Sequence, residues 1–509
     1  MRGSIWRKWD LHVHTPESGM ANEFPHDWDS YVTTLFKRAI EEDIAVIGIT
    51  DYFTIEGYKI LINDYLHNHE KLSSLFTPSE ISQIKEIRIF PNIEFRLEHI
   101  VNKNRINFHV IFSDDVSMED IEENFLHEIE FVREGEPFES SNTRKLKIKN
   151  IEELGSKIKS EQPSFTGTDF TVGCTTVAVS VHQIEKILNS HNDIFGGKYV
   201  IVIPVDEDLS KISWNSQGHN VKKYFYQVAN IFLATNSNTI EFGLGKKHNS
   251  IGDFIAEFKS LKPCIAGSDA HRLDSLFVFP NGKNCWIKAE PTFEGLKQII
   301  YEPEERVRLQ SSKPDEKNLY QVIESIVLNE PEFWSGTVYL NPNLNTIIGG
   351  RSTGKSSLLK AIAAKHEAKI DEDDYIRPHL SGVSIRWADG GCETGHKIDY
   401  YSQGYMHTIA SSRQLTNELV ETILQSKDAS GLLNSFSESK LRLEREISSD
   451  IFNLFRLRKE YLEYRRILKE KGNKAGVEQQ IKLLQSKATE LQRGSNLTPQ
   501  DLASYNGLQ

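Results

Sequence analysis

The run Asp10-Leu11-His12-Val13-His14-Thr15 sets two imidazoles on alternate positions of an apolar, strand-forming stretch. Alternate strand residues point to one face, so His12 and His14 can grip a single ion. Asp51, Glu94, Asp269 and His271 stand at the ends of other apolar runs, and His109 lies within one. Mixed histidine and carboxylate donors suit Zn²⁺, Mn²⁺ or Fe²⁺ better than Ca²⁺. In this reading His12, His14, Glu94 and Asp269 hold a principal ion, and His109 with Glu94 serves a second. A carboxylate such as Glu94 can bridge two ions and bring the pKa of a shared water towards neutrality. His271 would position a substrate or steady a leaving oxygen.

A second chemistry is written much later in the chain. Gly349-Gly350-Arg351-Ser352-Thr353-Gly354-Lys355-Ser356 matches the phosphate-loop pattern at every fixed position. Thr346–Ile348 is expected as the strand entering the loop and Leu358–Ile362 as the helix leaving it, the context such a loop needs. Backbone N–H groups around Gly349, Arg351, Thr353 and Gly354 would cradle phosphate. Lys355 would reach the β and γ phosphates, and Ser356, beside Ser357, would hold Mg²⁺. The expected ligand is ATP with Mg²⁺.

These residues need elements to carry them. Seven apolar runs are candidates for strands: Trp9–Val13, Ile44–Thr50, Arg88–Glu94, Asn107–Phe112, Tyr199–Val205, Ile231–Thr235 and Cys264–Ser268. Ile44–Ile49 is apolar on both faces, which predicts a parallel sheet covered by helices. Helical stretches such as Tyr31–Glu42 and Val177–Asn189 lie between the runs. The alternation predicts an α/β fold, a seven-stranded (β/α) barrel, with the candidate ligands gathered at the C-terminal ends of its strands. The barrel is expected over 1–310, a polar linker over 311–330, a nucleotide-binding lobe over 331–428 and a helical arm over 429–509.

At 509 residues the chain is too long for one core. Lys and Arg total 60 against 72 Asp and Glu, giving a net charge of -12, which argues against a general nucleic-acid coat. A local basic groove is compatible with it, and Arg144, Lys145, Lys147 and Lys149 form the best local cluster. Cys174, Cys264, Cys285 and Cys392 are scattered without a CxxC pair and read as reduced thiols. No apolar run reaches the roughly 18 residues that span a bilayer, and the charged start is unlike a secretory signal. A cytoplasmic protein without membrane contact is expected.

His12-Val13-His14, the Asp51 segment, Glu94, His109 and Gly267-Ser268-Asp269-Ala270-His271 resemble the motifs of the PHP (polymerase and histidinol phosphatase) domain. The resemblance covers about residues 9–300 and implies a distorted seven-stranded barrel that hydrolyses phosphoesters with up to three metal ions. Two positions depart from that pattern. Tyr52 follows Asp51 where the family places a histidine, and Ile203-Pro204 stands where it places His-Pro. One or two ions are therefore expected, and Glu207 or its neighbour Asp206 would replace the missing histidine at the second.

Val338–Gly350 resembles the approach to the phosphate loop in SMC-like ATPases of the ABC type, and Tyr401-Ser402-Gln403-Gly404 resembles their Q-loop. The tail fits that class: Ile447, Ile451, Leu454, Arg458, Tyr461, Arg465 and Leu468 follow coiled-coil spacing, as do Ile481, Leu484, Ala488 and Leu491. Gly472 and Gly476 interrupt them. Nothing after residue 420 resembles the signature or Walker B half of such a site, so a second copy or another chain is expected to supply it. The order of the two modules, with Trp286–Lys297, resembles the TrlF family of PHP-linked AAA-like ATPases. Three functions follow as expectations: an ATP-regulated nuclease in bacterial genome or phage defence, a PHP scaffold on an SMC-like DNA-binding protein, or a small-molecule phosphatase that senses ATP.

Overall fold

A computed structural model describes residues 2–101, 104–132, 143–207, 209–214, 218–314, 317–330, 333–366, 376–391, 395–396, 398–401, 404–427, 431–495 and 498–507. Each of the seven apolar runs lies in or overlaps a strand, because Val, Ile and Phe fit a pleated, doubly covered surface. In chain order the strands are β1 (Ile5–His14), β2 (Ile44–Tyr52), β3 (Arg88–Val101), β4 (Asn104–Phe112), β5 (Glu130–Val132), β6 (Thr143–Lys145), β7 (Tyr199–Pro204), β8 (Ile231–Leu233), β9 (Cys264–Ile265), β10 (Asn284–Ala289) and β11 (Val307–Gln310). Nine of them form one sheet in the order β11-β10-β1-β2-β3-β4-β7-β8-β9, and β5 with β6 makes a separate ribbon.

The sheet is mixed, which corrects the expectation of a parallel one. β1, β2 and β3 run parallel, as do β7, β8 and β9, but β4 lies antiparallel between β3 and β7. β3 and β4 continue past the barrel as a hairpin, too close in sequence for the crossover that a parallel pair requires. The last seam is closed by the segment after β9. Val13 bridges Ala270 in parallel, His14 N donates to Ala270 O at 3.1 Å, and Asp269 N donates to His12 O at 3.0 Å. β10 and β11 extend the sheet instead from the first half of β1, in register Trp6 with Lys288 and Lys8 with Trp286.

Helices cover the barrel. Asp27 caps the helix Trp28–Glu41, which buries Tyr31, Val32, Leu35, Phe36 and Ala39 along one stripe. Tyr31 Oη donates to the carbonyl of His14 at 2.8 Å, tying this helix to the end of β1. The helix expected from Val177 begins at Val181, since Val179 pairs with Leu97 as extended chain. β1 and β2 approach closely at Gly48, where a Cβ would stand 2.3 Å from the Leu11 carbonyl oxygen.

Residues 323–330, inside the stretch expected as a linker, form β12 (Ile323–Glu330). It pairs with β13 (Trp334–Tyr339) and β14 (Val383–Trp387) in a small antiparallel sheet. Ile326 and Val383 of this sheet form a small core with Ile376 and with Ala361 of the helix Lys355–Lys365. Asn341 ties this sheet to the barrel by donating to the carbonyls of Arg2 at 2.9 Å and Ser4 at 3.0 Å. The chain divides into two compact units, Met1–Asp399 and Tyr400–Gln509.

In the second unit a 40-residue helix, Leu432–Lys471, ends at Gly472 with φ 72°, and a further helix spans Lys474–Gly494. Gly472 breaks the helix while Gly476 lies inside the next one. No described residue of either is buried, so Ile451, Leu454, Tyr461 and Leu468 present their apolar stripe outward. Among the described residues no helix is long and apolar enough to cross a membrane.

Two outcomes follow. Gly48→Ala should lower the free energy of urea unfolding by about 1–3 kcal/mol, because its Cβ meets backbone and not a yielding side chain. Lys262 is buried, donates to Ala229 O at 2.6 Å and Ser260 Oγ at 3.0 Å, and burial pushes its ammonium down to about 7. The unfolded chain keeps that proton up to about pH 10, so between these values the unfolded state binds more protons and stability rises with pH. Relative to Lys262→Met, the wild-type chain should gain stability between pH 7 and about 10 in the same urea titrations; parallel curves would refute this.

Candidate metal centre

β1, β3 and the turn after β9 bring four donor atoms together at one rim of the barrel. His12 Nε2 lies 3.1 Å from His14 Nε2, 3.3 Å from Glu94 Oε2 and 3.2 Å from Asp269 Oδ1. His14 Nε2 lies 3.3 Å from each of the same two carboxylate oxygens. Two donors held by one tetrahedral ion at about 2.0 Å stand about 3.3 Å from each other, so these separations are those of donors sharing an ion. The ligand atoms of His12, His14 and Asp269 all lie within 4.8 Å of one another, and those of His12, Glu94 and His109 form a second such group. The two groups share His12.

His109 reaches the centre from the reversed strand β4, directly opposite Glu94 in the pairing register. Both of its ring nitrogens are buried without a hydrogen-bond partner, as are His12 Nδ1, Glu94 Oε1 and His271 Nδ1. Buried polar atoms are ordinarily paired, and imidazole and carboxylate atoms left so fit a divalent cation. Charge points the same way. Burial opposes the charged forms throughout, yet Asp269 and Glu94 draw the His12 proton affinity up to about 9 and raise that of His14 as well. Against the same burial, the surrounding histidines hold Glu94 and Asp269 well below the usual carboxylate range. Burial pushes His109 down to about 3, which leaves it a neutral donor. Such a concentration of negative potential on histidines favours a cation in place of their protons.

The supports are local. His14 Nδ1 meets Ser18 Oγ at 2.9 Å, which turns Nε2 towards the centre. Gly267 is required because a Cβ there would stand 2.5 Å from His12 Cβ. Asp269 takes a left-handed φ of 51°, a conformation that aspartate tolerates, and its carboxylate meets His12, His14 and His271. Asp10 is a supporting residue absent from the candidate set. Fully buried, its Oδ1 accepts from His12 N at 3.2 Å and Ser268 N at 3.1 Å, joining β1 to the Asp269 turn. Its position two residues before His12 on one strand was the signal for it.

The other candidates fall in different places. His271 stacks on His14 with ring centroids 4.0 Å apart and meets Asp269 Oδ1 at 3.3 Å. Asp51 is buried but accepts from Thr15 Oγ1 at 2.8 Å and Gly57 N at 3.2 Å, outside both ligand groups. Glu207 enters neither group. Asp206 is occupied at the ends of β7 and β8, accepting from Thr235 N, Asn236 N and Thr239 Oγ1 at 2.7–2.8 Å. The basic cluster near Arg144 is partly neutralised, since Lys145 pairs with Glu130 at 3.4 Å.

At the phosphate loop, Thr346–Ile348 is irregular chain where a strand was expected, because among the described residues no strand pairs with it. Gly349, Arg351 and Thr353 are exposed, and Ser352 and Gly354 adopt φ 63° and 84° before the helix that carries Lys355, Ser356 and Ser357. Thr353 Oγ1 donates to Gly350 O at 3.0 Å, and Lys355 Nζ turns back to the same carbonyl. Gln403 lies outside the described residues.

No family model matches the sequence, and no curated protein matches it. Among solved structures the chain is similar to a "putative metal-dependent phosphoesterase" from Bifidobacterium adolescentis, with 12% identity over 52% of this chain and 88% of that one, at a TM-score of 0.25. The reading of the site therefore rests on its own geometry.

Elemental mass spectrometry of the purified chain should find one to two equivalents of Mn, Fe or Zn. Asp269→Ala should reduce that content, and His109→Ala should leave the ion gripped by His12 and His14; equal content in all three chains would refute the centre.

Proposed function

We propose that this chain hydrolyses phosphoesters at a divalent-metal centre, and that nucleic acid is its substrate. The observation that carries the reading is the pair of ligand groups joined at His12, built from three histidines and two carboxylates. When bound, divalent ions would polarise a phosphoryl group and activate water for attack. The protein's own residues define the rest. His14, Glu94 and His109 form a buried floor, while Asp269, with half of its side chain exposed, faces solvent. His271, less exposed, stands beside it with Nε2 on Asp269, within reach of an ester oxygen that must take up a proton as its bond to phosphorus breaks.

The fuller proposal joins this barrel, as a PHP-type domain, to an SMC-like ATPase lobe, as in the TrlF family, in a cytoplasmic protein of bacterial genome or phage defence. The complete phosphate-loop pattern ahead of the helix Lys355–Lys365 supports ATP with Mg²⁺ as the regulator. The outward apolar stripe of Leu432–Lys471 supports assembly with a second copy or with a chain bearing the rest of the nucleotide site.

The test uses the Mn²⁺-loaded chain on labelled single-stranded DNA, RNA and a phenyl phosphomonoester, with and without ATP. Cleavage of a polynucleotide that His12→Ala or Asp269→Ala reduces by at least about a hundredfold, and whose ATP response Lys355→Ala removes, is the expected result. Cleavage of the monoester alone would convert the reading to a small-molecule phosphatase. No turnover of any substrate, with ATP-dependent DNA binding intact, would make the barrel a scaffold.

A further inference from the structure

Arg96 lies two residues beyond Glu94 on β3, and alternate strand residues share a face. Its guanidinium is thus carried on the side of the sheet that bears the ligands, about 7 Å further along the strand. The backbone there is fixed: Val179 N donates to Arg96 O at 3.0 Å, and Glu98 N donates to Val179 O at 3.0 Å.

The side chain is braced by an aromatic group. Arg96 Nη2 lies 3.4 Å from Tyr52 Oη, and its Cζ lies 5.4 Å from the ring centroid. Tyr52 stacks on His14 at 5.1 Å and lies nearly parallel to His271 at 6.5 Å. A half-buried cation is therefore seated on the ring that adjoins His14 of the metal centre and His271 beside it. Two carboxylates, Glu94 and Asp269, belong to that centre, yet among the described residues Arg96 forms no ion pair. Both carboxylates face the histidines instead.

A guanidinium carries five N–H donors in a planar fork that matches phosphoryl oxygens, and here one of them meets the phenol oxygen. We propose that Arg96, held by Tyr52, is an oxyanion clamp that binds non-bridging oxygens of a phosphoryl group presented to the metal centre. The clamp rests on the phosphoesterase reading and deepens it. It orients the phosphoryl group and offsets charge that grows on its oxygens during transfer.

The probe is inorganic phosphate, titrated calorimetrically into the metal-loaded full chain, with metal content measured on every variant. Arg96→Gln is expected to bind phosphate about tenfold more weakly or worse, at unchanged metal content. Arg96→Lys, which keeps the charge and loses the fork, should fall between the two. Equal phosphate affinity in wild type and Arg96→Gln overturns the clamp and leaves the phosphoesterase reading standing. Loss of metal in both variants assigns Arg96 to building the centre and likewise overturns it. A metal-loaded wild-type chain that neither binds phosphate nor cleaves any ester overturns both together.

Discussion

The backbone hydrogen bonds from Asp269 N to His12 O and from His14 N to Ala270 O close the barrel, and three of the residues they join, His12, His14 and Asp269, also supply donor side chains. Pairing the last seam and assembling the centre are thus one event. Asp10 adds to the same seam by holding His12 N and Ser268 N on one buried carboxylate oxygen. Gly267 is the steric condition for it, because any larger residue would collide with His12 before the strands could meet. A cation at this point would reinforce the closure as well as the chemistry, since the ligand set is complete only when the seam is formed.

The centre is asymmetric in its access to water. His14, Glu94 and His109 are almost wholly buried, whereas Asp269 is half exposed and His271 stands partly open beside it. The buried side concentrates the field of the carboxylates in a poorly solvated surround, and the open side is where a reacting group can arrive. Tyr52 occupies the boundary between these regions. Its ring continues the stacking of His14 and gives the Arg96 side chain a seat, and among the described residues Arg96 forms no ion pair there.

Much of this was legible in the sequence. Each apolar run lies in or overlaps a barrel strand, and the structure brings His12, His14, Glu94 and Asp269 together from their ends. The reversal of β4 is hidden because the apolar run stops at Glu94, and only the short alternation Phe95-Arg96-Leu97-Glu98 signals that the strand goes on. Without that extension His109 could be assigned to a strand but not to a position facing Glu94. Asp51 was misleading for a different reason: a carboxylate at a strand end serves equally well as an acceptor for a neighbouring hydroxyl and a backbone N–H, and Thr15 with Gly57 uses it so. Strands β10 and β11 are hard to read from the sequence because Asn284, Lys288, Arg308 and Gln310 leave only short apolar stretches within them. At Thr346–Ile348 the pattern stated a preference for extended chain, but a strand also needs a neighbour.

The register of the β3–β4 hairpin is irregular between Arg96 and Ile100, while Glu94 and His109 remain exactly paired across it. A one-residue slip in an antiparallel pair turns every side chain to the other face, which would carry His109 out of the centre. The irregular stretch separates the ligand pair from the hairpin tip. An irregular register at this place lets a change of strand length beyond Ile100 be taken up before it shifts the pairing of Glu94 with His109.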